Sequence, residues 1–223
     1  AIASGDRETP VAIEPATVRE ALGRQKVHHE AAARTSVPGV ATGLAVTGVG
    51  GDVLFVEAAS MGGRNALVLT GQLGDVMKES ARIALTYVKS HASQLEIDEH
   101  SFEGREYHIH VPAGAIPKDG PSAGVTIVTA LASLLSGRPV RSTVGMTGEV
   151  TLQGRVLPIG GLKQKIMAAQ AAGLTEVIFP KRNEPDLDDL PADVRQQMRF
   201  HAVGSVDEVL ALALEPSEVA KVA

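Results

Sequence analysis

The 223-residue chain has no cysteine and no tryptophan, and only 3% of its residues are aromatic. The first absence removes disulfide frameworks, cysteine-type zinc sites, iron–sulfur clusters and thiol catalysis together, and a reducing, cytosol-like compartment is the setting expected for it. Lys and Arg number 21 against 26 Asp and Glu, a net charge of −5, and the basic residues occur singly or in pairs. Without a basic stripe or aromatic platforms, nucleic acid is not an expected partner. Long apolar runs are missing too: the longest, Val125 to Leu135, is interrupted by Thr and Ser and is too short to span a bilayer. No membrane partner is expected. The N-terminus lacks the basic-then-apolar pattern of a signal peptide, but the chain opens on Ala1 rather than Met, as an excised or processed fragment would. No G-x-x-x-x-G-K-[ST] occurs, so nucleotide binding through a P-loop is excluded.

What is there is enough for one globular domain with a short appendage. A chain of this size buries roughly 70% of its unfolded surface and needs no covalent staples. Residues 15 to 34 read as a mostly polar helical stretch, with Val18, Leu22 and Val27 as its apolar positions, closed by Thr35-Ser36-Val37-Pro38-Gly39. From Val40 the period becomes two: Ala41–Thr47 and Val53–Ala58 around a Gly-rich turn predict a hairpin. Ala66–Thr70 predicts a strand, Gly74–His91 a helix, and Glu106–Val111 a strand with His108 and His110 on one face. A loop from Pro112 to Pro121 precedes a helix from Ser122 to Leu135 that is stopped by Gly137 and Pro139. Val144–Leu152 predicts one strand, turning at Gln153-Gly154-Arg155 into Val156-Leu157. A helix over Gly161–Ala172, a strand over Val177–Phe179, a helix over Asp188–Met198, a strand over Phe200–Val203 and a helix over Val206–Leu214 complete the pattern. Interleaved elements of this kind predict an α/β fold, a mixed sheet with packed helices.

Chemistry is concentrated in Pro117-Lys118-Asp119-Gly120-Pro121-Ser122-Ala123-Gly124. Ser122 stands at the start of a helix that is apolar on nearly all sides, so backbone N–H groups of its first turn are held beside the hydroxyl, as an oxyanion site requires. The plain alternative is a helix N-cap after a Pro-Gly loop. Gly120–Gly124 also satisfies G-x-S-x-G, but no buried strand runs into the serine, and His201 is the one histidine that follows it among seven. Without a histidine base the usual substitute is a desolvated lysine. Lys165 has small and apolar Leu162, Ala168, Ala169 and Ala172 on its side of the helix, whereas Lys163 looks at Ile166, Met167 and Gln170, which favours Lys165 of the two. The plain alternative, which this segment alone supports more readily, is that both are solvated surface charges. His108-x-His110 lacks a third metal ligand, and His29-Glu30 has Ala33 where a zinc helix needs its second histidine; no metal is expected.

Three stretches together resemble the C-terminal proteolytic domain of the Lon family of ATP-dependent AAA+ proteases: the serine motif, Met146-Thr147-Gly148-Glu149-Val150-Thr151-Leu152, and Gly154-x-Val156-Leu157-Pro158-Ile159-Gly160-Gly161-Leu162-Lys163-x-Lys165. His108–Pro112 and Gly50–Glu57 agree as well. The resemblance covers residues 38 to 215 as a Lon-type domain, with 1–37 as the tail of an AAA+ small domain and linker, and 216–223 as a C-terminal tail. It implies Ser122 as nucleophile, Lys165 as base 43 residues downstream, Thr147 positioning the amine, and Asp119 and Gly120 in positioning or oxyanion roles. It further implies a homohexamer in the full-length protein, unfolded or damaged proteins as substrates, and protein quality control in the bacterial cytoplasm or, alternatively, the mitochondrial matrix. No cofactor is implied for this chain, since ATP and Mg would bind the AAA+ domain. Two positions depart from the family: Val46 and Gly48 stand where a Trp and a Pro are usual. Their distance in sequence from Ser122 and Lys165 suggests an effect on hairpin packing and not on chemistry. The rival class is a Lon-like interaction domain without proteolysis, which generally lacks the serine.

Overall fold

The computed structural model describes residues 12–23, 35–48, 50–112 and 117–216. The chain divides into two compact units, residues 1–30 and 31–223. In the first, helix α1 (Pro15–Leu22) begins on a proline, whose missing N–H is not needed there, and ends at Gly23 with φ 80°. Val18 on α1 is exposed, and the expected continuation through Val27 lies outside the described residues.

The second unit begins with the hairpin that the two-residue alternation predicted. Strand β1 (Val40–Thr47) pairs antiparallel with β2 (Gly50–Gly62), in register from Val40↔Glu57 to Thr47↔Gly50. The Gly-rich segment is not mainly turn: Gly50, Gly51 and Asp52 continue the ladder. The order then runs β3 (Leu67–Thr70), α2 (Asp75–Ser90), β4 (Arg105–His110), α3 (Gly124–Ser136), β5 (Val144–Met146), β6 (Glu149–Val150), β7 (Val156–Leu157), α4 (Leu162–Ala171), β8 (Glu176–Pro180), α5 (Ala192–Gln197), β9 (Arg199–Val203) and α6 (Val206–Ala213). Seven strands form one mixed sheet in the order β3-β4-β2-β1-β5-β8-β9, in which β2 runs against the other six. β6 and β7 make a separate hairpin.

Helices cover both faces. On one, α2, α3 and α6 pack through Ala84, Val88, Ile127, Leu131 and Val209 against Val56, Tyr107 and Ile109 of the sheet. On the other, Leu162, Ile166 and Ala169 of α4 and Val194 of α5 meet Leu44, Val177 and Phe179. In β8, Val177 and Phe179 face the second cluster and Ile178 the first, and all five residues are buried, as a strand covered on both faces requires. α3 is buried from Gly124 to Ser133, and each of Ile127, Val128 and Leu131 contributes about 1.5–3 kcal/mol. Ser122 therefore precedes one of the most firmly held helices in the domain.

Two predicted elements differ in detail. Val144–Leu152 is not one strand: β5 stops at Met146, and the chain resumes as β6 in a different sheet. Residues Asp188–Met198 are divided between a 3-10 segment, Lys181–Asp189, and α5. Pro191 stands between the two, where a proline ends one helical run and is tolerated at the start of the next. Among the described residues no helix is long and apolar enough to cross a membrane.

One feature at the amino ends of β5, β8 and β9 had no signal in the sequence. Glu176 is 2% exposed, yet it accepts from Arg141, Arg199 (3.2 Å), Thr143 (3.2 Å) and His201 Nε2 (3.0 Å). Burial pushes its carboxyl upward, but the bond from His201, the charge of Arg141, the Thr143 hydroxyl and Arg199 outweigh that and hold it below its ordinary value. A carboxyl lowered in the folded state contributes stability above its unfolded pKa and loses it as pH falls. Glu176→Ala should therefore cost about 3–5 kcal/mol at pH 7, measured by urea denaturation, and the difference from the parent should shrink below about pH 4.

Candidate active site

The break after β5 organises the site. Thr147 is fully buried just beyond the carboxyl end of β5, where its N–H donates to the Ile178 carbonyl of β8 (3.0 Å). Gly148 then donates to the Ser122 carbonyl (2.8 Å), and Val125 N–H at the start of α3 returns a bond to the Gly148 carbonyl (3.1 Å). The two segments come this close because both carry glycine: a Cβ on Gly124 would lie 2.9 Å from Val150 N, and one on Gly148 would lie 2.9 Å from both Val125 and Val156. The site thus lies beyond the carboxyl end of a central strand, where ligands of open α/β sheets bind.

Ser122 occupies the middle of a one-turn 3-10 segment, Pro121–Ala123, that leads into α3. Neither the 3-10 turn nor α3 has a side-chain cap, so the N-cap reading of Ser122 does not hold. Its hydroxyl makes no hydrogen bond among the described residues, while its carbonyl is held by both Gly148 N–H and the Thr147 hydroxyl (3.3 Å). Among the described residues no strand runs into the serine, and what precedes it is the 3-10 turn rather than the buried strand that a nucleophile elbow requires.

Lys165 approaches from the opposite face of the sheet. The buried positions of α4 are Leu162, Lys165, Ile166 and Ala169, the 0, 3, 4, 7 stripe of an amphipathic helix, with the lysine in a place normally held by an apolar residue. It is 3% exposed, and its Nζ donates to Thr147 Oγ1 at 3.0 Å. Burial lowers its pKa from 10.5 to about 8. Lys163, on the other side of α4, is exposed. Thr147 Oγ1 therefore accepts from the Lys165 amine and donates to the Ser122 carbonyl, so one hydroxyl spans the two residues.

Asp119 and Gly120 are placed differently from the other three. The Asp119 carboxylate accepts from Met77 N–H (3.0 Å), capping the first turn of α2 from another part of the chain. It also accepts from Gly120 N–H at 2.9 Å. In this structure that N–H is committed to Asp119 and Pro121 has none, so Gly120 does not present a free oxyanion donor; Ser122 N–H is the first that follows. Lys118 binds the same region through its N–H to the Gln72 carbonyl (3.0 Å) and its carbonyl to Gly74 N–H (2.7 Å). The segment before Ser122 is thereby pinned to residues 72–77, an anchor that the sequence did not reveal.

His108, His110 and His201 lie elsewhere. His201 is bound to Glu176, and His108 Nε2 and His110 Nδ1 both meet Thr70 Oγ1, at 2.9 and 2.7 Å. Among the described residues no three His, Asp or Glu side chains are grouped to hold a metal; His29-Glu30 lies outside them. The hairpin bearing Val46 and Gly48, expected to be remote from the chemistry, is not remote in space. A Cβ on Gly161, the residue before α4, would lie 2.7 Å from Val46 Cγ2, and Gly51 of β2 abuts Gln164, next to Lys165.

Helices on both faces of a mixed sheet thus place the serine turn and a buried amine on either side of one threonine, Thr147, beyond the end of β5. Residues 12–216 match the Lon protease (S16) C-terminal proteolytic domain, and the chain belongs to that family. It is 65% identical over 210 residues to the Lon protease of Salinispora arenicola, covering 94% of this chain and 27% of that protein. It is 59% identical over 222 residues to the Lon protease of Mycolicibacterium smegmatis (100% and 28%). Against Lon protease 1 of Sorangium cellulosum the identity is 54% over 213 residues (96% and 26%). The chain spans about a quarter of the length of these relatives.

Proposed function

We propose that this chain is the peptide-cleaving part of an ATP-dependent protease and works through a Ser122–Lys165 dyad. The observation that carries the reading is the amine of Lys165, shut from water, lowered to about 8 and held 3.0 Å from the Thr147 hydroxyl that reaches the Ser122 carbonyl. A lysine at its ordinary pKa would be almost wholly protonated at neutral pH; one near 8 is neutral often enough to accept a proton. The Ser122 hydroxyl, without a partner of its own, turns toward Nζ and attacks the peptide carbonyl as its proton passes to Lys165. N–H groups of the 3-10 turn, Ser122 foremost, stabilise the oxyanion. Lys165 then gives its proton to the departing amine, leaving an acyl-serine, and a water activated by the again neutral lysine releases the acid and restores the serine.

The open flank of β1 suits an extended substrate. β1 pairs with β5 at Gly43↔Met146, and Leu44–Thr47, paired with β2 on one side, continue past the end of β5 with no strand on the other side among the described residues. A peptide laid along this edge by strand addition lies next to the site without side-chain specificity in its main-chain bonds. Unfolded or damaged polypeptides fit that mode. ATP and Mg2+ belong to a separate AAA+ domain, because this sequence has no phosphate-cradling loop. The homohexamer, the quality-control role and a bacterial cytoplasmic or mitochondrial matrix location are part of the same proposal.

A peptidyl boronate tests it. The expected result is a covalent adduct at Ser122 seen by mass spectrometry, loss of peptide cleavage, and cleavage rates that do not respond to Mg-ATP. Absence of both adduct and cleavage would favour an interaction domain without proteolysis, and stimulation by ATP would reveal a nucleotide site in this chain.

A further inference from the structure

The β1–β2 hairpin meets the backbone of α4 at a glycine, Gly51. A Cβ built on Gly51 would lie 2.0 Å from the Gln164 carbonyl oxygen, 2.6 Å from its carbon and 3.0 Å from Ala168 Cβ. Real Cβ atoms essentially never come within 3.0 Å of such neighbours, so the space falls short by about 1 Å. The obstacle is helix backbone, which no rotamer change relieves. The Gln164 carbonyl belongs to the peptide bond that begins Lys165. From this we infer that Gly51 is a positioning residue for Lys165: the bare backbone of β2 is the stop against which α4 rests, and it sets how deeply the amine enters the site.

Gly51 is held rigidly enough to act as a stop. It lies opposite Val46 in the β1–β2 register, and Val46 itself packs over Gly161, where α4 begins. The hairpin therefore meets α4 at its start and again one turn later. Any side chain at 51 would push this turn away from the sheet and draw Nζ from Thr147. A displacement of about 1 Å in a catalytic constellation can cost on the order of a hundredfold in rate. It would also admit water to a group whose lowered pKa comes from burial. The charges on segments packed against α4 are Asp52 and Glu57 on β2 and the mixed charges of Lys181–Asp189; the Lys165 shift comes from desolvation and not from them.

This inference rests on Lys165 being the base, and the experiment separates the two. Gly51→Ala is compared with Gly48→Ala, a hairpin position with nothing within 4 Å of a Cβ, and with Ala168→Val, which wedges the same contact from the helix side. Peptide cleavage is followed from pH 6 to pH 10. The expected result is that Gly51→Ala loses roughly a hundredfold in kcat with little change in KM, and that its rising pH limb moves about one unit to higher pH. Ala168→Val should move the limb in the same direction, and Gly48→Ala should match the parent. Should Gly51→Ala fail to fold, Ala168→Val and its pH limb decide alone. A folded Gly51→Ala with the parent's kcat, or a lower kcat on an unmoved pH limb, overturns the positioning role. Retained activity in Lys165→Met would instead overturn the assignment of the base.

Discussion

Ser122→Ala is expected to lose peptide cleavage by roughly ten-thousandfold or more while the domain remains folded. Removal of a nucleophile leaves only what binding and oxyanion stabilisation contribute. The stability cost should be below about 0.5 kcal/mol, in the range of substitutions that touch no special feature, because the serine side chain caps nothing and makes no hydrogen bond among the described residues. Circular dichroism and thermal unfolding would report the fold, and a fluorogenic peptide the activity. Turnover at even a tenth of the parent rate, in protein free of contaminating protease, removes Ser122 from the mechanism.

The second large effect is at Lys165, where activity and stability should move in opposite directions. Lys165→Met should abolish cleavage, and Lys165→Arg should as well, since guanidinium keeps its proton throughout the working range. Lys163→Arg, on the exposed side of α4, should leave cleavage intact. In the parent enzyme, cleavage should rise with pH through about 8 as the amine becomes neutral. The folded pKa is near 8 and the unfolded one about 10.4, so the unfolded chain holds the proton more tightly. The penalty is complete below pH 8, amounts to about 3 kcal/mol, and disappears as pH rises towards 10. After about 1 kcal/mol for the lost bond to Thr147, Lys165→Met should be about 2 kcal/mol more stable than the parent at pH 7. Denaturation midpoints at pH 7 and pH 10 test this: an advantage that does not shrink between them means that the lysine is not buried as a charge.

Much of this site could be read from the sequence because its parts obey local rules. The apolar run after Ser122 predicts a buried helix held at its start, and the neighbours of Lys165 lean towards it over Lys163, a choice that the resemblance to the Lon family then completes. Two-residue alternation likewise yields the hairpin. What could not be read depends on contacts between distant segments. Thr147 lies in a run that reads as continuous strand, because no local signal shows that Gly148 will bind the Ser122 carbonyl and force the chain out of the sheet. The carboxylate of Asp119 finds its partner at Met77, 42 residues earlier, a tertiary cap with no sequence pattern of its own. The nearness of Val46 to Gly161 is hidden for the same reason: sequence separation says little once a sheet has folded a hairpin over a helix.

The burial of Lys165 also links proteolytic competence to the integrity of the domain itself. Its low basicity belongs to α4 lying closed on the sheet; if that helix opens even locally, the amine is rehydrated, regains its proton and can no longer take one from serine. Amide exchange along α4 and turnover should therefore report the same opening equilibrium. On the proposed mechanism, a copy loosened at α4 would lose its base and with it the capacity to cleave.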